Sequence, residues 1–133
     1  MASILRRAAG AALSGARLVG IAALLGAGVV PAQAAGAIAI GACGTYGYAY
    51  DYKTLALAQT AALQKCGDRS CRLVATVRRA CAAFAVDAKD LCGSHGYAVA
   101  PRLARAQNTA LQQCYHHGGK TCVIRAFACD AKS

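Results

Sequence analysis

The chain has 133 residues, 15 Lys and Arg against 5 Asp, no Glu, and a formal net charge of +10. This length suits one ordinary domain. Eight cysteines are rare in a cytosolic protein of this size unless it binds metal, because cytosolic thiols are kept reduced. The positive charge favours anionic partners, but no recognised nucleic-acid motif accompanies it, so we expect no specific nucleic-acid partner.

The first 34 residues have the pattern of a bacterial secretory signal peptide. Three arginines and no acidic residue precede the apolar run Leu18 to Val30. The run is followed by Pro31 and the small-residue exit Ala32-Gln33-Ala34. We place the cleavage after Ala34 and predict a secreted or periplasmic protein with no transmembrane span after processing. The run is shorter than the roughly 20 residues of a spanning helix. An uncleaved anchor remains the alternative.

Residues 35–133 are predicted to form a single disulfide-rich domain that consists of two similar sequence repeats. The seven residues that begin at Cys43 return at Cys92 with five identities, and the nine that end at Cys66 return at Cys114 with six. Order, spacing and residue type repeat together, which indicates an internal duplication. We place the repeats at about 35–81 and 82–133. Without the three leader arginines, 12 basic side chains face 5 acidic ones, a net charge of +7.

Each repeat is predicted to run strand, strand, helix, strand. The residue periodicity places strands at 37–40, 46–52, 72–77, 83–86, 95–99 and 123–128, and helices at 54–66 and 102–114. The fold class is therefore α+β, with two β-β-α-β repeats that form a mainly antiparallel sheet and carry two packed helices. Gly47 and Ala49 share one face of the second strand, where an Ala-rich helix could approach closely.

The strand directions constrain the disulfides, although eight cysteines allow 105 pairings and the sequence alone does not choose among them. A six-residue strand spans roughly 20 Å, while bridged Cα atoms usually lie within about 7 Å. Two cysteines fall at one end of the unit and six at the other, which leaves Cys81 with Cys129. The expected pairs are Cys81–Cys129, the short local pairs Cys66–Cys71 and Cys114–Cys122, and Cys43–Cys92 between the two turns.

The segments Gly36-Ala37-Ile38-Ala39, Tyr46-Gly47-Tyr48, the helix that ends at Cys66, and the run Cys71-Arg72-Leu73-Val74-Ala75 resemble the domain of unknown function 4189 family. The resemblance covers nearly all of residues 35–133 and implies export and a fold, but no activity. It also implies that Cys66, Cys71, Cys81 and Cys129 are the cysteines common in the family, and that the other four are an additional set. The chain departs from the family by lacking a Trp or bulky aromatic residue before the opening strand.

The second strand carries tyrosines at every other position, which predicts four rings on one face of the sheet. Such rings can pack within the sheet or between the two halves; alternatively, they can bind sugars or a partner protein, since Tyr is favoured at interfaces. With nearby or equivalent residues they form the candidate binding surface: Tyr46, Tyr48, Tyr50, Tyr52, Tyr97, Arg78 and Arg79.

We expect no catalytic residue, no bound metal and no cofactor. His116 and His117 lie between Cys114 and Cys122, a zinc-like spacing, but oxidised cysteines cannot ligate and the first repeat lacks the histidines. The five aspartates show no paired spacing suited to acid–base work. The sequence therefore favours a non-enzymatic module that binds an anionic envelope component or a protein. The alternative is a small hydrolase or metal-dependent enzyme that uses His95 or His116/His117.

Overall fold

A computed structural model describes residues 34–130. Apart from its last residue, the predicted signal peptide lies outside the described residues. The strands are β1 (Ala35–Ile40), β2 (Tyr46–Tyr52), β3 (Arg72–Val77), β4 (Cys81–Asp87), β5 (His95–Ala100) and β6 (Cys122–Cys129), and the helices are α1 (Leu55–Cys66) and α2 (Leu103–His116). Every predicted strand and helix is present, in the predicted order.

The strands form two antiparallel sheets of three. The first sheet has the order β2-β1-β3 and the second has the order β5-β4-β6, so the opening strand of each repeat is central. The α+β class with two β-β-α-β repeats is confirmed. The predicted antiparallel sheet is divided into two, one for each repeat.

The two sheets pack face to face and carry one helix on each outer side. The central core joins Ile38, Ile40 and Val77 of the first sheet to Phe84 and Val86 of the second. The opposite faces of the sheets, which are rich in alanine, pack against α1 and α2 respectively. This gives four layers, helix–sheet–sheet–helix, with the bulkiest buried side chain, Phe84, in the middle.

Small residues let each helix lie directly on its sheet. A Cβ added at Gly47 would lie 2.1 Å from the carbonyl oxygen of Ala62, and one at Gly96 would lie 2.3 Å from that of Ala110. Thr54 starts α1 by accepting a hydrogen bond from the Leu57 amide at its Oγ1. The close helix contact expected at Gly47 therefore occurs, and the second repeat reproduces it.

All eight cysteines are in disulfides, and the pairs are those that the strand directions predict. The bonds are Cys43–Cys92, Cys66–Cys71, Cys81–Cys129 and Cys114–Cys122. Cys81 begins β4, and its partner lies opposite on β6, so this bond is internal to the second sheet. Cys43–Cys92 is the bond that joins the part of the chain that forms the first sheet to the part that forms the second.

One feature of the tyrosine strand differs from the prediction. Between its pairings with Ala37 and Ala35 of β1, β2 advances from Ala49 to Tyr52, three residues against two. Asp51 sits in this bulge with a φ of 60°. Because the extra residue reverses the alternation of side chains, Tyr52 packs on the α1 side of the sheet. The expectation of four rings on one face is therefore wrong for Tyr52.

The disulfides indicate an oxidising compartment, since such bonds persist outside the reducing cytosol. Neither helix in the described part of the chain combines the length and the hydropathy that a membrane crossing requires.

Candidate functional site

Three tyrosine rings line up along β2 on the face that meets the second sheet. The rings of Tyr46 and Tyr48 have centroids 6.4 Å apart at an interplanar angle of 16°, and those of Tyr48 and Tyr50 are 6.1 Å apart at 12°. Tyr46 also contacts the buried Phe84, with centroids 6.2 Å apart. The inner end of the row is thus anchored in the core, while Tyr50 is 52% exposed.

Two cations lie over these rings. The guanidinium of Arg125 is 5.6 Å from the centroid of Tyr46, and the Lys65 Nζ is 5.6 Å from that of Tyr48. Arg125 is the extra residue of a bulge in β6, because Phe84 pairs with Ala126 and the next residue of β4 pairs with Ile124. Bulges redirect side chains at sheet edges, and this one brings a charge to the aromatic row.

The rings and β6 enclose a groove of about 340 Å³ between the edges of the two sheets. We call it the tyrosine groove; its lining residues are Tyr46, Tyr48, Tyr50, Arg125, Ala126, Phe127, Ala128 and Cys129. Phe127 is 48% exposed. The lining combines aromatic faces with one guanidinium and contains no carboxylate.

The structure brings together three of the seven residues of the candidate binding surface. Tyr52 lies on the α1 side, and Tyr97 lines a different cleft. Arg78 and Arg79 are exposed in the turn between β3 and β4, where the Arg79 amide donates to Asp130. The sequence reasoning missed Arg125, Lys65 and Phe127. Arg125 and Phe127 belong to β6, which lies beside β2 because the two sheets pack face to face, and the sequence pattern does not reveal that stacking. Lys65 belongs to α1.

A second cleft, of about 500 Å³, opens at the end of the sheets that carries the two Cys-Gly turns. The disulfide Cys43–Cys92 lies in its wall, together with Arg72, His95 and Tyr97. Val74, the extra residue of a bulge in β3, also lines it. Val74 corresponds to Arg125 in the other repeat. The equivalent bulge therefore directs an apolar side chain into this cleft and a cationic side chain into the tyrosine groove.

The family of the chain is evident from its sequence. A family model described as a domain of unknown function, DUF4189, matches residues 35–129. The chain belongs to the DUF4189 family. Among solved structures it is similar to the NMR structure of Rv1813c from Mycobacterium tuberculosis, with 25% identity and a TM-score of 0.54, over 96% of this chain and 98% of that one. The curated proteins contain no match.

The histidines of this DUF4189 domain lie in a short exposed row. The Nδ1 atom of His117 is 2.7 Å from the backbone oxygen of His95, and the two rings are 6.5 Å apart. His116 is next, 6.4 Å from His117. Within residues 34–130, no group of three or more His, Cys, Asp or Glu side chains is placed to hold a metal ion. Cys114 and Cys122 are bonded to each other, so neither offers a thiolate.

Three aspartates of this DUF4189 domain, Asp68, Asp87 and Asp130, accept hydrogen bonds from backbone amides. The carboxylate of Asp87, which is buried, accepts hydrogen bonds from the amides of Lys120 and Lys89 at 2.7 and 2.9 Å. These bonds, that from Lys120 first, hold the pKa of Asp87 below its usual value. Asp68 binds the hydroxyl and amide of Ser70, which likewise lowers its pKa. These carboxylates stabilise the loops after α1, after β4 and before β6.

Proposed function

We propose that this protein is an exported, non-enzymatic module that binds an anionic polysaccharide of the cell envelope in the tyrosine groove. The observation that carries the proposal is the row of parallel rings at Tyr46, Tyr48 and Tyr50 with the cations of Arg125 and Lys65 over it. The proposal includes removal of residues 1–34 and a single domain at 35–133.

The chemistry of the tyrosine groove favours a sugar polymer that carries negative charge. Tyrosine rings present flat apolar faces with a hydroxyl at the edge, which suits the faces of sugar rings. A row of rings spaced by about 6 Å offers a repeated contact along an extended chain. The guanidinium of Arg125 can bind a carboxylate or phosphate in two-point fashion.

The charge of the whole domain supports the same partner. After loss of the leader the net charge is +7, which raises the local concentration of anionic polymers and speeds their association. The basic side chains are spread over the surface, so the specific contribution to binding must come from the groove rather than from a general basic patch.

The test is a binding titration with a soluble anionic polysaccharide. We expect polygalacturonate to bind wild-type domain, with dextran as the neutral polymer control. Tyr48→Ala should weaken binding by roughly tenfold, since an aromatic stacking contact is worth on the order of 1 kcal/mol or more. Arg125→Gln should weaken binding and reduce its dependence on salt.

Matched control variants separate the groove from the rest of the surface. Tyr115 is 51% exposed on α2, away from the groove, and Arg105 is exposed on the same helix. Tyr115→Ala and Arg105→Gln should leave the affinity unchanged within about twofold. Equal losses from the groove and control variants, or equal binding of dextran, would refute the proposal. If the domain binds a protein partner and no polysaccharide, the proposed ligand is wrong.

A further inference from the structure

The four disulfides differ in their access to solvent. Cys43 and Cys92 are both exposed, whereas each of the other three bonds has at least one buried cysteine. The buried partners are Cys66 at 6%, Cys81 at 3%, and both Cys114 at 0% and Cys122 at 7%. Thiol–disulfide exchange requires a thiolate to approach a sulfur directly, so access separates this bond from the others.

The bond also lies in a space that admits a small molecule. The cleft of about 500 Å³ at the Cys-Gly turns is walled by Cys43, Cys92 and the exposed side chain of Arg72. The positive charge of a guanidinium in the same cleft attracts an incoming thiolate. The glycines that come after the two cysteines, Gly44 and Gly93, also line the cleft and add no side chain to its wall.

The backbone at Cys43 also distinguishes this bond. Cys43 has a φ of 51° and a ψ of 43°, in the left-handed region that disfavours residues with a Cβ. The first cysteine of the turn is therefore held in an unfavourable conformation. Breaking the bond to Cys92 removes one constraint that keeps it there, which favours the open form.

We propose that Cys43–Cys92 is a site of thiol–disulfide exchange that reacts with small thiols while the other three disulfides remain closed. A thiolate attacks the sulfur of one of the two cysteines, forms a mixed disulfide with it, and expels the other sulfur as a thiolate. A second thiol then attacks the mixed disulfide. The products are two cysteine thiols and one oxidised disulfide of the small thiol, so two electrons pass from the small thiols to the protein.

The experiment is a timed reduction of the full domain without denaturant. Dithiothreitol at low concentration is added, samples are trapped with N-ethylmaleimide in acid, and labelled cysteines are mapped by mass spectrometry. We expect labels at Cys43 and Cys92 to appear at least about tenfold faster than at any other cysteine, with no change in the circular dichroism spectrum. Simultaneous labelling of all eight cysteines, or first labelling at another pair, would overturn the proposal.

Two double variants provide the matched comparison. Cys43→Ser with Cys92→Ser should take up no label under the same conditions. Cys66→Ser with Cys71→Ser should keep the fast labelling of the remaining Cys43–Cys92 bond. If either variant fails to fold, the order of labelling in the wild-type time course still decides the question. Fast labelling elsewhere in the first variant would contradict the proposed selectivity.

Discussion

Asp87 shows how a single buried carboxylate can hold two loops. It accepts amide hydrogen bonds from the segment just after β4 and from the loop before β6. Its folded-state pKa is lowered, so its contribution to stability is complete above the unfolded pKa of about 3.9 and is lost as the pH falls through the folded pKa. The domain should therefore become less stable in acid, below about pH 4.

Asp87→Asn tests this prediction. The variant should be less stable than wild type at neutral pH, and its stability should fall less between pH 5 and pH 2, because it lacks the titrating group. Urea unfolding at a series of pH values measures both effects. Asp90→Asn, at an exposed position nearby, is the control and should keep the wild-type pH dependence. Identical pH profiles for wild type and Asp87→Asn would show that Asp87 is not responsible.

Gly47 and Gly96 let the two helices lie directly on their sheets. In each repeat a Cβ would overlap the backbone of the covering helix, at 2.1 Å and 2.3 Å from a carbonyl oxygen. Gly47→Ala and Gly96→Ala should each destabilise the domain by about 1–3 kcal/mol, the range for an overpacked core. Ala104→Ser, on the exposed face of α2, should change stability by less than roughly 0.5 kcal/mol. Urea midpoints for the three variants would separate these outcomes.

At the level of elements, the bulges are the feature that the sequence does not predict. A bulge adds one residue to one strand and reverses the facing of the later residues in that strand, without any change in composition. The alternation of tyrosines in β2 is unbroken in the sequence, yet Asp51 takes up the extra place and Tyr52 changes sides. The bulge that redirects Arg125 also leaves no trace in the sequence pattern. For this reason the sequence predicts the candidate binding surface only in part.

The disulfides close loops of very different length. The bond Cys81–Cys129 closes a separation of 48 residues, and Cys66–Cys71 closes one of 5. By the loop-entropy estimate, their removal should cost about 4 and about 2 kcal/mol respectively. Urea unfolding of Cys81→Ala with Cys129→Ala, compared with Cys66→Ala with Cys71→Ala, measures the difference. A larger loss from the short bond would show that local packing, rather than loop closure, sets the contribution.

For the whole molecule, the repeat predicted more than the individual segments did. Alternation and helical spacing were enough for every strand and helix, since each helix and outer strand has buried residues at regular spacing and the two central strands are buried along their whole length. The disulfide pairs could be predicted because the two repeats share one topology and place their cysteines at the same ends of the strands. The face-to-face stacking of two separate sheets was not predicted, because pairing and stacking both bury apolar strand residues, and the pattern of those residues is the same in either case.

The bond between Cys43 and Cys92 joins the same position of the two repeats, and β2 lies over β6 as β3 lies over β5. A link between identical positions is the one that a homodimer can form with a single cysteine per subunit. The domain thus has the covalent plan of a cross-linked dimer whose two subunits are joined in sequence through the turn at residues 78–80.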